Sequence, residues 1–120
     1  MDRETRHDIY NALTLWKPTV KLPGESAMAR SLARYFIAKH WLSVRIETGA
    51  TIVGFPDMLA ITNRGDTVYI ELKCNTAVSM NLSAAQRQFL NTLASKGAPV
   101  FVIHLHPKRR EVTVIPGGEI

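Results

Sequence analysis

The sequence predicts an α/β domain: a mixed sheet flanked by helices, in the order αβββαβ, with an extra N-terminal helix and a C-terminal edge strand. Three observations carry this. Two segments have helical periodicity and a third has clear helix start and stop signals. Short β-branched runs alternate between them, and a turn signal at Asn63-Arg64-Gly65 joins two of those runs into a hairpin.

Residues 2–16 read as a short helix, with Ile9, Leu13 and Trp16 spaced i, i+4, i+7. Pro18, Pro23 and Gly24 punctuate the connection after it, and a second helix is expected from Glu25 to about Trp41. Its stripe is Met28, Leu32, Tyr35 or Phe36, and Lys39 or His40, with Arg30 and Arg34 largely elsewhere. Strands are expected at Ser43–Thr48 (ending at Gly49), Phe55–Thr62, Thr67–Lys73, Pro99–Leu105 and Glu111–Ile115, with a helix at Ala84–Lys96 that stops at Gly97. A hairpin followed by a helical crossover to a further strand makes the sheet mixed.

At 120 residues, one core and one domain over 1–120 are expected. Hydrophobic residues are 46% and charged residues 21%, ordinary values for a folded chain. The apolar runs are too short to span a membrane, and the mixed-charge N-terminus has no signal-peptide pattern. The single cysteine, Cys74, excludes an intrachain disulfide and a four-cysteine zinc site, and it fits a reducing cytoplasm. Fifteen Lys and Arg against ten Asp and Glu give +5, which favours polyanionic partners such as DNA without identifying one.

The chemistry concentrates on the hairpin. Along Thr67–Lys73, Val68, Ile70 and Leu72 point to one face and Thr67, Tyr69, Glu71 and Lys73 to the other. Glu71 and Lys73 therefore share a face, about 7 Å apart at Cα. A three-residue loop with Gly65 left-handed pairs Thr62 with Asp66 and, counting back, Asp57 with Glu71. A two- or four-residue loop would pair Asp57 with Leu72 instead. Opposed like charges destabilise a sheet unless one is protonated or a cation lies between them. A hard divalent ion such as Mg²⁺ fits two carboxylates and keeps positions open for a phosphate. Lys73 would add positive charge beside it. The alternative is a solvated strand face with a cross-strand ion pair.

Pro56-Asp57, then Glu71-Leu72-Lys73, resembles the PD-(D/E)xK nuclease signature. The finer pattern is similar to VRR-NUC nucleases, which themselves resemble Holliday-junction resolvases: Glu25 on an opening helix, Gly54-Phe55-Pro56-Asp57, Glu71-Leu72-Lys73, and Ser83-Ala84-Ala85-Gln86. The resemblance covers about residues 25–105 and implies a restriction-endonuclease-like core. It implies that Asp57, Glu71 and the Leu72 carbonyl hold Mg²⁺ or Mn²⁺, with Lys73 orienting or activating water and Glu25 and Gln86 completing a catalytic site. The link 75–81 departs from the family's more charged or glycine-containing segment. The implied activity is endonucleolytic hydrolysis of DNA, structure-specific on branched or flapped substrates, in a phage or mobile-element protein within a bacterial cytoplasm. A non-catalytic nucleic-acid-binding module and an accessory subunit of a replication or repair assembly are the alternatives.

Several of these residues also have plain structural explanations. Glu25 lies on the apolar stripe, aimed at the sheet as a ligand directly or through water, yet an acid in a first helical turn also complements the helix dipole. Ser83 with Gln86 is a capping box. His104 and His106 share a strand face, but nothing completes a metal site with them. Of the cations at 30, 34, 45, 87 and 108–110, Arg87 beside Gln86 is the candidate DNA contact. Trp16 and Trp41 are expected to be packing residues. A homodimer is also expected, through the first helix (Ile9, Leu13, Trp16) or the last strand (Val112–Ile115), because two-fold assemblies are the commonest and branched DNA offers two related scissile phosphates.

Overall fold

The computed structural model describes residues 1–46, 53–77 and 80–120. The chain runs α1 (Arg3–Thr14), α2 (Glu25–Ala38), β1 (Leu42–Arg45), β2 (Met58–Ile61), β3 (Thr67–Cys74), α3 (Ala84–Ser95), β4 (Val100–His106) and β5 (Glu111–Pro116), with a short 3-10 turn at Gly117–Glu119. This is the expected αβββαβ order from Glu25 with the extra helix and strand. The five strands form one sheet in the order β1-β2-β3-β4-β5. All neighbours are antiparallel except β3 and β4, whose parallel pairing results from the crossover through α3.

Alternation along β3 divides the interior. Val68, Ile70 and Leu72 enter a large core with Ile9 and Leu13 of α1, Met28, Leu32 and Phe36 of α2, and Phe101, Ile103 and Leu105 of β4. On the other face Tyr69 joins Leu90 of α3, Val100 and Val102 in a smaller cluster. Helices therefore cover both faces, and Glu71 lies on the α3 side.

The side chain of Asp2 caps α1 by accepting from the Thr5 amide at 2.7 Å. Ile9, Leu13 and Trp16 are almost fully buried, Tyr10 stacks on Phe101 with centroids 6.3 Å apart, and the Tyr35 hydroxyl donates to the Ala12 carbonyl. This corrects one expectation. The apolar face of α1 is consumed by its own chain, because burying each such side chain stabilises the fold by about 1.5–3 kcal/mol, and it is not a dimer surface. Trp41 is likewise a packing residue, stacked on Phe36 at 5.3 Å.

Three expected boundaries move. Helix α2 stops at Ala38 rather than near Trp41, because His40 turns left-handed (φ 62°) and the Trp41 amide closes back onto the Phe36 carbonyl at 2.8 Å. Lys39 and His40 thus leave the buried stripe. Strand β2 begins at Met58, not Phe55, since Gly54 has φ 87° and Pro56 has no amide to give a ladder. Strand β1 ends at Arg45, and the predicted 47–49 lie outside the described residues. Among the described residues no helix is long and apolar enough to cross a membrane.

Candidate active site

The β2–β3 turn sets the register of the site. Gly65 is left-handed (φ 87°), and the Thr62 amide donates to the Asp66 carbonyl at 2.9 Å, closing the three-residue loop. The ladder pairs Ile61 with Thr67 through to Met58 with Ile70. One step further Asp57 faces Glu71, the register expected from a three-residue turn. The carboxylate Oδ2 of Asp57 accepts from the Leu72 amide at 2.9 Å, while its backbone carbonyl accepts from the Ile46 amide at 2.7 Å. The Tyr69 and Asn75 amides bond toward β4. By alternation, the amide and carbonyl of Leu72 both point to the β2 side, where β2 has already ended. The Leu72 carbonyl is thereby directed past the end of the ladder, beside Asp57.

Glu71 is 1% exposed, the most deeply buried acid among the described residues. Its Oε2 accepts from Gln86 Nε2 at 3.0 Å and lies 3.9 Å from Lys73 Nζ. Its Oε1 is buried and has no hydrogen-bond partner among the described residues. Burial first, then the neighbouring Asp57 carboxylate, pushes the Glu71 carboxyl up to about 8, against the pull of Lys73. Two opposed carboxyls, one holding an unmatched buried oxygen, form a donor set that suits a hard divalent cation. Asp57, Glu71 Oε1 and the Leu72 carbonyl are the groups that would hold it.

Glu25 stands further back. It is exposed at the start of α2, yet partial loss of hydration and then the Asp57 charge raise its carboxyl above the usual value, opposed by Lys73 and Arg45. Among the described residues no group of three His, Cys, Asp or Glu side chains is close enough to share an ion. Glu25 thus shares the electrostatic field of the Asp57–Glu71 pair.

Gln86 closes the cap and also reaches Glu71. Its backbone amide donates to Ser83 Oγ at 3.1 Å, and its side-chain Oε1 accepts from the Ser83 amide at 2.9 Å. That leaves Nε2 to donate to Glu71. The neighbouring Arg87 is exposed and lies about 100° around the helix, where it lines a shallow hollow with Gln88, Asn91 and Ser95. Gly54 binds the two walls together: a Cβ there would come within 2.5 Å of the Ala85 carbonyl oxygen, in the first turn of α3. The glycine of the Gly54-Phe55-Pro56-Asp57 motif is a close-approach residue as well as a left-handed one.

The two histidines part company. His106 Nδ1 accepts from the Arg109 amide at 3.3 Å within the β4–β5 turn. His104 sits opposite Lys73 in the parallel ladder and places Nε2 3.1 and 3.0 Å from the carbonyl and side-chain oxygens of Asn75. Asn75 in turn accepts from the Ala77 amide and donates to the Met80 carbonyl. His104 and Asn75 therefore organise the link between β3 and α3, a role that sequence reasoning missed. Its only sequence signal is the parallel register.

The VRR-NUC domain family model matches residues 2–107, so α1 lies inside the matched region. Two solved structures share the fold. One is Hjc, a Holliday junction resolvase from Archaeoglobus fulgidus, at 24% identity and TM-score 0.59 over 74% of this chain and 72% of that one. The other is a VRR_NUC domain, at 23% identity and TM-score 0.57 over 72% of this chain and 88% of that one. Comparison with curated proteins gives no match. With a family model spanning nearly its whole length and a fold shared with those two structures, the chain belongs to the VRR-NUC domain family.

Proposed function

We propose that this chain is a Mg²⁺- or Mn²⁺-dependent DNA endonuclease, structure-specific for branched or flapped DNA, acting in a bacterial or phage-infected cytoplasm as a phage or mobile-element protein. The observation that carries this reading is the buried Glu71 Oε1 opposite Asp57, partnerless among the described residues, with Lys73 at its side. When bound, a divalent ion supplies Lewis-acid polarisation of the scissile phosphate and a more acidic water. Asp57, Glu71 and the Leu72 carbonyl would hold it. Lys73 orients the attacking water and offsets charge gathering on the phosphate. Gln86 fixes the rotamer of Glu71, and Glu25 acts through water from the rim. Arg87 contacts DNA from the outer side of α3.

Structure-specific cutting is favoured by the fold shared with a Holliday junction resolvase. A homodimer remains the proposed working unit. With the α1 face covered, the β5 edge is the surface left for it. The test is a cleavage panel on four-way junction, flapped and plain duplex DNA, with and without Mg²⁺ or Mn²⁺, alongside light scattering. Metal-dependent cutting of the branched substrates is expected. Binding without cleavage under any ion would favour a non-catalytic module instead.

A further inference from the structure

The +5 net charge is unevenly placed, and the imbalance tracks the direction of the sheet. Strands β3 and β4 run parallel, so their C-terminal ends share one end of the molecule, the end that carries Asp57, Glu71 and Lys73. Two basic segments meet there. One is the β4–β5 turn with Lys108, Arg109 and Arg110; the other is the connection after α1 with Lys17 and Lys21. All five are exposed.

The segments are tied to each other and to the site strand. Arg110 Nη1 donates to the Thr19 carbonyl at 3.0 Å. Cys74 Sγ, the last residue of β3, lies 3.9 Å from the Leu22 carbonyl, and Leu22 is buried. The turn itself is closed by the Arg110 amide on the His106 carbonyl at 2.8 Å, with Arg110 left-handed (φ 55°). The ladder pairs Lys73 with His104. The turn starts two residues later on the adjacent strand, so it begins within about 10 Å of the Lys73 backbone. That separation is about three nucleotides of rise along one DNA strand.

Among the described residues, the acids at this end, apart from those of the site, reduce to Glu111, 3.8 Å from Arg109. The opposite end is mixed: Arg64 lies 4.0 Å from Asp8, Asp66 is adjacent, and Arg6 donates to the Gly97 carbonyl.

The geometry points to a preformed phosphate-binding ridge made of Lys17, Lys21, Lys108, Arg109 and Arg110, which seats the duplex arm beside the scissile phosphate. This deepens the DNA-nuclease reading and rests on it. The ridge contacts backbone rather than bases, so it is indifferent to sequence and strongly dependent on salt. It also carries more of the binding than Arg87, which stands alone on α3.

Binding of the full chain to fluorescent duplex and junction DNA in EDTA, measured across salt concentrations, tests it. For B-DNA the slope of log K against log salt is about −0.9 per phosphate neutralised. The double variants Lys108→Gln/Arg109→Gln and Lys17→Gln/Lys21→Gln should each flatten the slope by about 2. The control Arg3→Gln/Lys96→Gln, from the opposite end, should change it by less than about 0.5. Thermal unfolding confirms that each variant is folded. If the wild type binds DNA steeply and the ridge variants keep its slope, or lose no more than the control, the ridge is wrong while the nuclease reading stands. Absence of any DNA binding by the wild type overturns both.

Discussion

Val68, Ile70 and Leu72 on one face of β3 and Tyr69, Glu71 and Lys73 on the other are interleaved in the same eight-residue strand. The first three are 0–1% exposed and their side chains pack into the large apolar core. On the other face Glu71 is just as buried, yet one of its oxygens has no partner among the described residues and its carboxyl is raised to about 8. The same alternation that builds a dry core thus delivers a charged group into an equally dry place. Burial by itself does not separate structure from chemistry. The unmatched atom does.

The largest expected effect is a clean split between these faces. Asp57→Ala or Glu71→Ala should lower cleavage by about 10³-fold or more, the loss of several kcal/mol of metal-derived stabilisation, with the fold retained. Ile70→Ala should cost about 2–5 kcal/mol in unfolding free energy while the folded fraction cuts at the normal rate. Substantial activity in both acid variants would erase the distinction.

The second effect is on pH. An acid whose carboxyl is raised in the folded state contributes stability that is fully present below its unfolded value near 4.5 and lost as pH rises through about 8. Metal-free protein should therefore weaken between about pH 5 and 8, by an amount on the order of a few kcal/mol. Glu71→Gln should remove most of that slope. Because an ion must displace the same proton, Mg²⁺ should restore thermal stability more at about pH 8 than at about pH 6 in the wild type. A pH profile identical in wild type and Glu71→Gln would contradict the assignment.

The smallest effect sharpens the comparison at one residue. Gln86→Glu can still close the capping box with Ser83 but cannot donate to Glu71. Activity or metal affinity should drop about 10–100-fold, as for groups that orient a metal ligand, with little change in melting temperature. Unaltered cleavage in this variant would make Gln86 a cap and nothing more.

What could be read in advance was whatever short-range chemistry decides. The turn Asn63-Arg64-Gly65 needed only a left-handed glycine, and with it came the Asp57–Glu71 register. The Ser83–Gln86 cap was equally local. The fate of the first helix was not local. Its stripe was visible, but whether that stripe met β4 or a second chain depended on where Phe101 and Tyr35 would stand. Glu25 shows the same boundary: its helical face was legible, while its distance from the acid pair depended on how α2 settles against the sheet. The bond from His104 to Asn75 joins residues 29 apart across a parallel ladder, beyond any nearby pattern.

Gly54 carries one more consequence. Asp57 and Gln86 hang from different walls, and the gauge between those walls is set by a missing methyl group. The nearest ordinary contact for a Cβ is 3.4 Å, and the space at Gly54 allows 2.5 Å. Even alanine would wedge the walls apart by roughly an ångström, a displacement that can cost a positioned reaction about a hundredfold. The tolerances of the centre are thus machined at a residue with no chemistry of its own, three residues before Asp57.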